Sequence, residues 1–289
     1  MLGVGLGLAR ARRVEPGAAP LLLDALEVLP ETFLALEKLK ADYSGYSLRV
    51  RRSSDDAETD IGFDGLEPDV SAIQDFGGAG TVYASRVYDK TGNGNHWSQS
   101  IAASQPKVME AGSLKLHGTK LVLSGGVMRL DSTAGIITGM PGASLVSLAA
   151  TPNTSGYESL AWSTTASSTR TELGVGIGSG GLSRLGYFRV ATLGTLYTLT
   201  GSVAIEVNEL TLSILTADYA AGAGAMYTNG SSDGTRSIPV GLISDTSALI
   251  STPSLDISAT VSLFGVFNSV LSSADRSALT AYALARKAA

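Results

Sequence analysis

The chain has 289 residues and a formal net charge of −5; only 16% of its residues are charged, against roughly 25% in an average globular protein. A hydrophobic content of 44% excludes general disorder, and the acidic balance argues against a nucleic-acid-binding face. The absence of cysteine excludes a disulfide framework, thiolate metal sites and a cysteine nucleophile.

The chain opens with glycine alternating with leucine or valine, from Leu2 to Leu8. Glycine weakens a free strand, so this segment either packs against another surface or another copy of the chain, or is a loose terminus. Arg10, Arg12 and Arg13 follow the apolar stretch Met1–Ala9, whereas a secretory signal puts its positive charge first, so no signal peptide is expected. No run of about 18 apolar residues occurs, and no membrane insertion is expected. Residues 18–40 look helical: Leu22, Leu23, Leu26 and Leu29 recur at short spacings, Phe33, Leu34 and Leu36 continue the face, and Lys38 and Lys40 sit where positive charge suits a helix end. Pro30 is expected to divide the stretch into two short helices. Residues 1–40 are thus expected to form an anchoring or oligomerisation segment; a helix capping the end of the following domain is the alternative.

From Tyr43 onward short apolar runs alternate with Gly, Ser, Asn and Asp clusters. Strands are predicted at residues 48–52, 81–88, 114–116, 120–123, 143–150, 172–177, 187–190, 210–215 and 261–267, with turn signals at Asn93-Gly94, Asn229-Gly230 and Asp233-Gly234. Ser272-Ser273-Ala274-Asp275 precedes Leu279, Tyr282 and Leu284 at helical spacing, with Arg286 and Lys287 behind them, which predicts a capped closing helix. Residues 41–289 therefore read as one mainly β domain, a sandwich or barrel with a short C-terminal helix.

Polar residues cluster in two places. Leu48 and Val50 alternate with Arg49 and Arg51, and Asp55, Asp56, Glu58 and Asp60 follow closely, as in an ion-pair network that pins a turn. A sugar-contacting polar edge is the functional alternative. A calcium loop is a third, with Asp56, Glu58, Asp60 and Glu67 in register but Ile61 where glycine is required. The second cluster is the tight loop Thr91–Trp97, in which Asn93, Asn95, His96 and Trp97 are candidate glycan contacts, together with Trp162 elsewhere; a histidine that satisfies its own loop is the plainer account of His96. Two histidines, His96 and His117, without ligand spacing make no zinc site, and no metal or cofactor is expected.

Tyr43-Ser44-Gly45, the run Leu48–Asp55, Asp60-Ile61-Gly62-Phe63, the run Tyr88–His96 and Gln105-Pro106-Lys107-Val108 occur in that order. The series resembles the start of the catalytic domain of arabinofuranosidase B-type glycoside hydrolases, and is similar to a group of bacteriophage virion and prophage proteins that share this opening. Ala225–Gly230 and Gly265–Arg276 resemble the end of laminin-G-like and concanavalin A-like domains. The resemblance implies a concanavalin A-like jelly-roll β-sandwich over 41–289. It also implies a candidate nucleophile, Glu172, before the small-residue run Leu173–Gly178. The acid of that family lies in a loop rich in glycine and asparagine; the matching stretch here, Ser251–Asp256, lacks both. Glycoside hydrolysis needs two carboxyl groups flanking the bond, so no enzyme is expected. The expected role is a structural subunit of a phage virion (tail fibre, tail tip or capsid spike), a homo-oligomer and by analogy a trimer. It would join other virion proteins through residues 1–40 and present a lectin-like sandwich to host-surface polysaccharide. A carbohydrate-binding module outside a virion and an active arabinofuranosidase are the alternatives.

Overall fold

The computed structural model describes residues 20–130, 139–150, 159–163, 172–177, 183–189, 196–241 and 260–289. The protein is a mainly β, jelly-roll-like sandwich of antiparallel strands, with short helices near the two ends of the described chain.

The strand Thr260–Phe267 organises the large sheet. Along one edge it pairs with Gly142–Ala150, which in turn pairs with Thr211–Asp218. Its other edge is shared: Thr32–Ala35 pairs with Leu263–Val266, and Leu123–Ser124 with Thr260 and Val261. These strands are buried on both faces, so their side chains divide between two cores. Leu34, Leu145, Leu215 and Phe264 point into the core between the layers. Phe33, Val146, Ile214 and Phe267 point the other way, where Leu22, Leu23, Leu271 and Leu279 cover them. Burial on both sides explains why the sequence here reads as continuous apolar runs rather than as alternation.

The same fact corrects the helix predicted after Pro30. Residues 22–25 do form a short helix. Thr32–Ala35, however, is a strand with all four residues buried, held between a sheet neighbour and two cores. Residues 20–40 are accordingly built into the body of the sandwich. The glycine-alternating segment 1–17 lies outside the described residues.

Several local signals are realised as predicted. Asn229 and Gly230, both at positive φ, make the two-residue turn between Ala223–Thr228 and Ser231–Ser237. Ser272 caps the helix Ser273–Lys287, accepting a hydrogen bond from the Asp275 amide at 3.0 Å. Asp233-Gly234 is not a turn but lies inside the strand Ser231–Ser237, beside an irregularity in register. The buried Asp233 carboxylate accepts from the amides of Ser202 and Val203 at 2.6 and 2.7 Å, tying this edge to the strand Leu196–Ala204. A helix at Val70–Gly77, missing from the strand pattern, starts at Asp69, which caps the Ala72 amide, and stops at Gly78 with φ 55°.

A second sheet comprises Ser159–Ser163, Glu172–Ile177, Ser183–Arg189 and Leu196–Ala204, and lies against the large one. At the far side of the large sheet, Leu48–Arg52 pairs with Glu58–Ile61 and with Val82–Val87, and Val82–Val87 continues to Trp97–Ser98 and Lys107–Glu110. This last group carries both polar clusters.

Candidate functional site

Leu48 and Val50 face the core, so Arg49 and Arg51 face outward. On the neighbouring strand an irregularity at Ser85 shifts the register, pairing Arg49 with Arg86 but Val50 with Ala84. The shift leaves both Tyr83 and Arg86 on the partly exposed side, three residues apart, which simple alternation would not allow. Two polar rows result across the outer face. One runs Asp60, Arg49, Arg86, Ser98, Arg129; the other runs Glu58, Arg51, Tyr83, Lys107, Ser124.

The first row ends under an aromatic group. Tyr46, half exposed at 50%, leans on Tyr88 with centroids 5.9 Å apart, and Tyr88 meets His96 edge-on at 5.1 Å. Arg49 makes a two-pronged bond to Asp60, Nε to Oδ1 at 2.8 Å and Nη2 to Oδ2 at 2.9 Å. The Tyr88 hydroxyl donates to the same Oδ1 at 2.6 Å, and the Arg86 guanidinium lies 6.0 Å over the Tyr88 ring. Arg49 and the Tyr88 hydroxyl hold the Asp60 carboxyl below its usual range, although its partial burial opposes them. Desolvation and the Asp60 carboxylate push the Tyr88 phenol up. Both groups therefore keep one protonation state near neutrality, and the face offers fixed donors and acceptors beside ring edges.

The loop beneath this face explains how Tyr88 and His96 are aimed. The Asp89 carboxylate is buried and accepts from the amides of Phe33 and Thr91 at 3.0 and 3.2 Å. Its own backbone N–H donates to Nδ1 of His96 at 3.1 Å, which orients the ring. Lys90 is fully buried, its ammonium donating to the carbonyls of Ser47 and Tyr88, 5.5 Å from the Tyr43 ring and 5.8 Å from that of Phe63. Burial pushes its pKa down to about 7, against the nearby Asp89 and Glu37 carboxylates.

The structure divides the predicted contacts of this loop. His96 belongs to the aromatic group. Trp97 does not: it has no exposed surface, its Nε1 donates to Thr32 at 2.8 Å, and its ring packs edge-on against Phe264. The hydrophobic run of the sheet needed a large core residue there, so Trp97 is a packing residue. The side-chain amides of Asn93 and Asn95 bond carbonyls of Pro30 and Glu31, which pins the loop to the strand Thr32–Ala35 instead of turning them to a ligand. Trp162 and Glu172 lie on adjacent strands, opposite Leu173 and Ser163, and their side chains are outside the described residues, as is Asp256.

Asp56, Asp60 and Glu67 each bind a different cationic side chain, Arg51, Arg49 and Lys120. That is the ion-pair alternative of the sequence analysis, and among the described residues no group of three or more carboxylates or histidines is arranged to hold a metal ion. Sequence reasoning missed Tyr46, Tyr88 and Arg86 as members of one site. Arg49 and Asp60 were visible, as partners in a turn or, in the alternative, as a sugar-contacting edge.

No protein-family model and no curated protein matches the chain. Solved structures do. A GH54 α-L-arabinofuranosidase soaked with 4-nitrophenyl α-L-arabinofuranoside superposes with a TM-score of 0.63 at 16% identity, covering 92% of this chain and 64% of that one. An arabinofuranosidase complexed with arabinofuranosyl-α-1,2-xylobiose gives 0.58 at 16% identity, again over 92% and 64%. The binding domain of Paraclostridial Mosquitocidal Protein 1 gives 0.52 at 11% identity, over 68% of this chain and 49% of that one. The chain thus spans less than two thirds of the arabinofuranosidases it matches, and at such identities the likeness is one of fold.

Proposed function

We propose that the chain is a glycan-binding sandwich without hydrolytic activity, which takes sugar on the outer face formed by Tyr46, Tyr88, His96 and the Arg49–Asp60 pair. The observation that carries this reading is the joining of exposed ring surface, on loop residues beside the strand ends, to a two-pronged polar pair on the sheet. Sugars are bound by aromatic surface against their C–H faces and by a few fixed polar groups at their hydroxyls. The row holds three arginines against one aspartate on a chain that is acidic overall, which favours a sugar carrying a carboxylate. The fold's likeness to structures that carry arabinofuranosyl ligands is compatible with this use of the scaffold. The test is a binding screen of arabinan, xylan and polygalacturonate against wild type, Tyr46→Ala and Arg49→Ala. Saturable binding weakened at least five-fold in both variants supports the proposal; equal binding by all three proteins overturns the site.

The absence of catalysis rests on the sequence of Ser251–Asp256, which lacks the glycine and asparagine of the acid loop that the resemblance leads one to expect. Release of nitrophenol from an aryl arabinofuranoside by wild type, lost in Glu172→Gln, would establish the enzyme instead.

The finer reading is display on a bacteriophage virion, on the strength of the ordered motifs between Tyr43 and Val108. Because residues 20–40 belong to the sandwich body, an anchoring role falls to residues 1–19. Light scattering on the full chain tests it: a trimer or other oligomer supports the virion subunit, and a monomer removes the argument for packing with copies.

A further inference from the structure

The segment 20–39 meets the C-terminal helix at a cavity of about 280 Å³. That volume is just below the ~300–1,000 Å³ typical of small-molecule sites. Its walls are mainly apolar, with Leu21, Leu22, Leu39 and Leu66 among them. Glu37 and Arg286 meet at its floor, Oε1 to Nη1 at 2.8 Å, with side chains only 6% and 3% exposed. Each nitrogen of Arg286 is engaged, since Nε donates to Ser262 Oγ and Nη2 to the Leu121 carbonyl at 3.1 Å. The Glu37 carboxylate is therefore held rigidly by one oxygen. Its other oxygen, Oε2, is buried and without a hydrogen-bond partner among the described residues, and so is the hydroxyl of Tyr282, which also lines the cavity. Burial pushes the Glu37 carboxyl up, and Arg286 opposes this.

A buried polar atom is rarely left unpaired, and each one demands an explanation. The carboxylate oxygen needs a donor; the phenol can give or accept. A hydroxyl group suits either atom, donating to Glu37 or accepting from Tyr282. Charge gives no reason for a cation, since Arg286 already balances Glu37 and Lys120 balances Glu67 at the rim. We infer that this cavity is a second binding site, distinct from the sugar-binding face, for a small, largely apolar molecule bearing a hydroxyl group.

The test is a titration of the full chain, with leucine methyls labelled for NMR, by cyclohexanol and by cyclohexanone, which has the same frame but no donor. The expected result is saturable shifts at the Leu39 and Leu66 methyls, with the alcohol roughly ten-fold tighter than the ketone because only it can donate to the carboxylate. Tyr282→Phe, a change on a partly exposed helix residue, should weaken the alcohol about five-fold while leaving the fold intact. Leu66→Trp, at the half-exposed mouth, should abolish the shifts at Leu39. No saturation by either compound, or equal affinity for both, would overturn the inference. Neither result bears on polysaccharide binding at Tyr46, which is read separately.

Discussion

Gly265 lies opposite Phe33 in the centre of the large sheet, and a Cβ placed on Gly265 would come within 2.5 Å of two carbons of the Phe33 ring. Neither side can yield easily, because the ring also packs edge-on against Phe267 at 6.4 Å. Gly265→Ala is expected to destabilise the protein by about 1–3 kcal/mol through overpacking. Urea denaturation read by tryptophan fluorescence checks this. An unchanged midpoint would mean that the strand Thr32–Ala35 does not sit against Gly265 in solution.

The same pairing makes residues 20–40 indispensable. Removing residues 1–40 takes away a strand buried on both faces, the partners of Asp89, Asn93 and Asn95, and the Glu37 that neutralises Arg286. Loss of one partner of a buried ion pair alone costs about 3–5 kcal/mol. The shortened chain is expected to lose its cooperative thermal transition. A sharp calorimetric peak from residues 41–289 would refute this.

Lys90 should make stability depend on pH. Its folded pKa is pushed down to about 7, while the unfolded value lies near 10.4. Between these values the unfolded chain binds the extra proton, so stability rises as pH rises through that window, by up to about 1.4 kcal/mol per pH unit. Below about pH 7 the contribution is constant. Denaturation of wild type and Lys90→Met at pH 6, 8 and 9.5 should show wild type gaining on the variant. Parallel behaviour would place the lysine charge in contact with water.

Asp233 holds two strands of different sheets. Asp233→Ala leaves the amides of Ser202 and Val203 and the hydroxyl of Thr228 without their buried acceptor. The expected loss is about 3 kcal/mol, against about 1 kcal/mol for Thr228→Val, which removes a single bond. Similar midpoints for the two variants would contradict the central role given to the carboxylate.

Trp97 and Tyr46 should separate stability from binding. Trp97→Phe removes a buried bond to Thr32 and core volume, and should lower the unfolding temperature without changing polysaccharide affinity. Tyr46→Ala, at a half-exposed position, should stay within about 0.5 kcal/mol of wild-type stability while binding falls. The reverse pattern would restore the tryptophan as the sugar contact.

What could be read directly from the amino acids was local. Alternation at Leu48–Arg52, the Asn229-Gly230 turn and the Ser272-capped helix depend on neighbours a few residues away, and each is present where the pattern places it. The β class and the sandwich architecture follow from the sum of such signals. Thr32–Ala35 was not legible, because a segment buried on both faces has no periodicity to distinguish strand from helix; its partner, more than two hundred residues away, makes the choice. The same holds for function. His96 and Trp97 are adjacent and chemically similar candidates, yet Asp89 turns one toward the surface group and Thr32 takes the other into the core. Only the register of four strands brings Tyr46, Arg49, Asp60, Arg86 and Tyr88 to one face. Only the closing helix sets Arg286 against Glu37 and leaves an oxygen of that buried carboxylate unpaired. Side-chain chemistry is written in the chain, whereas which groups share a surface or a cavity is a matter of pairing across it.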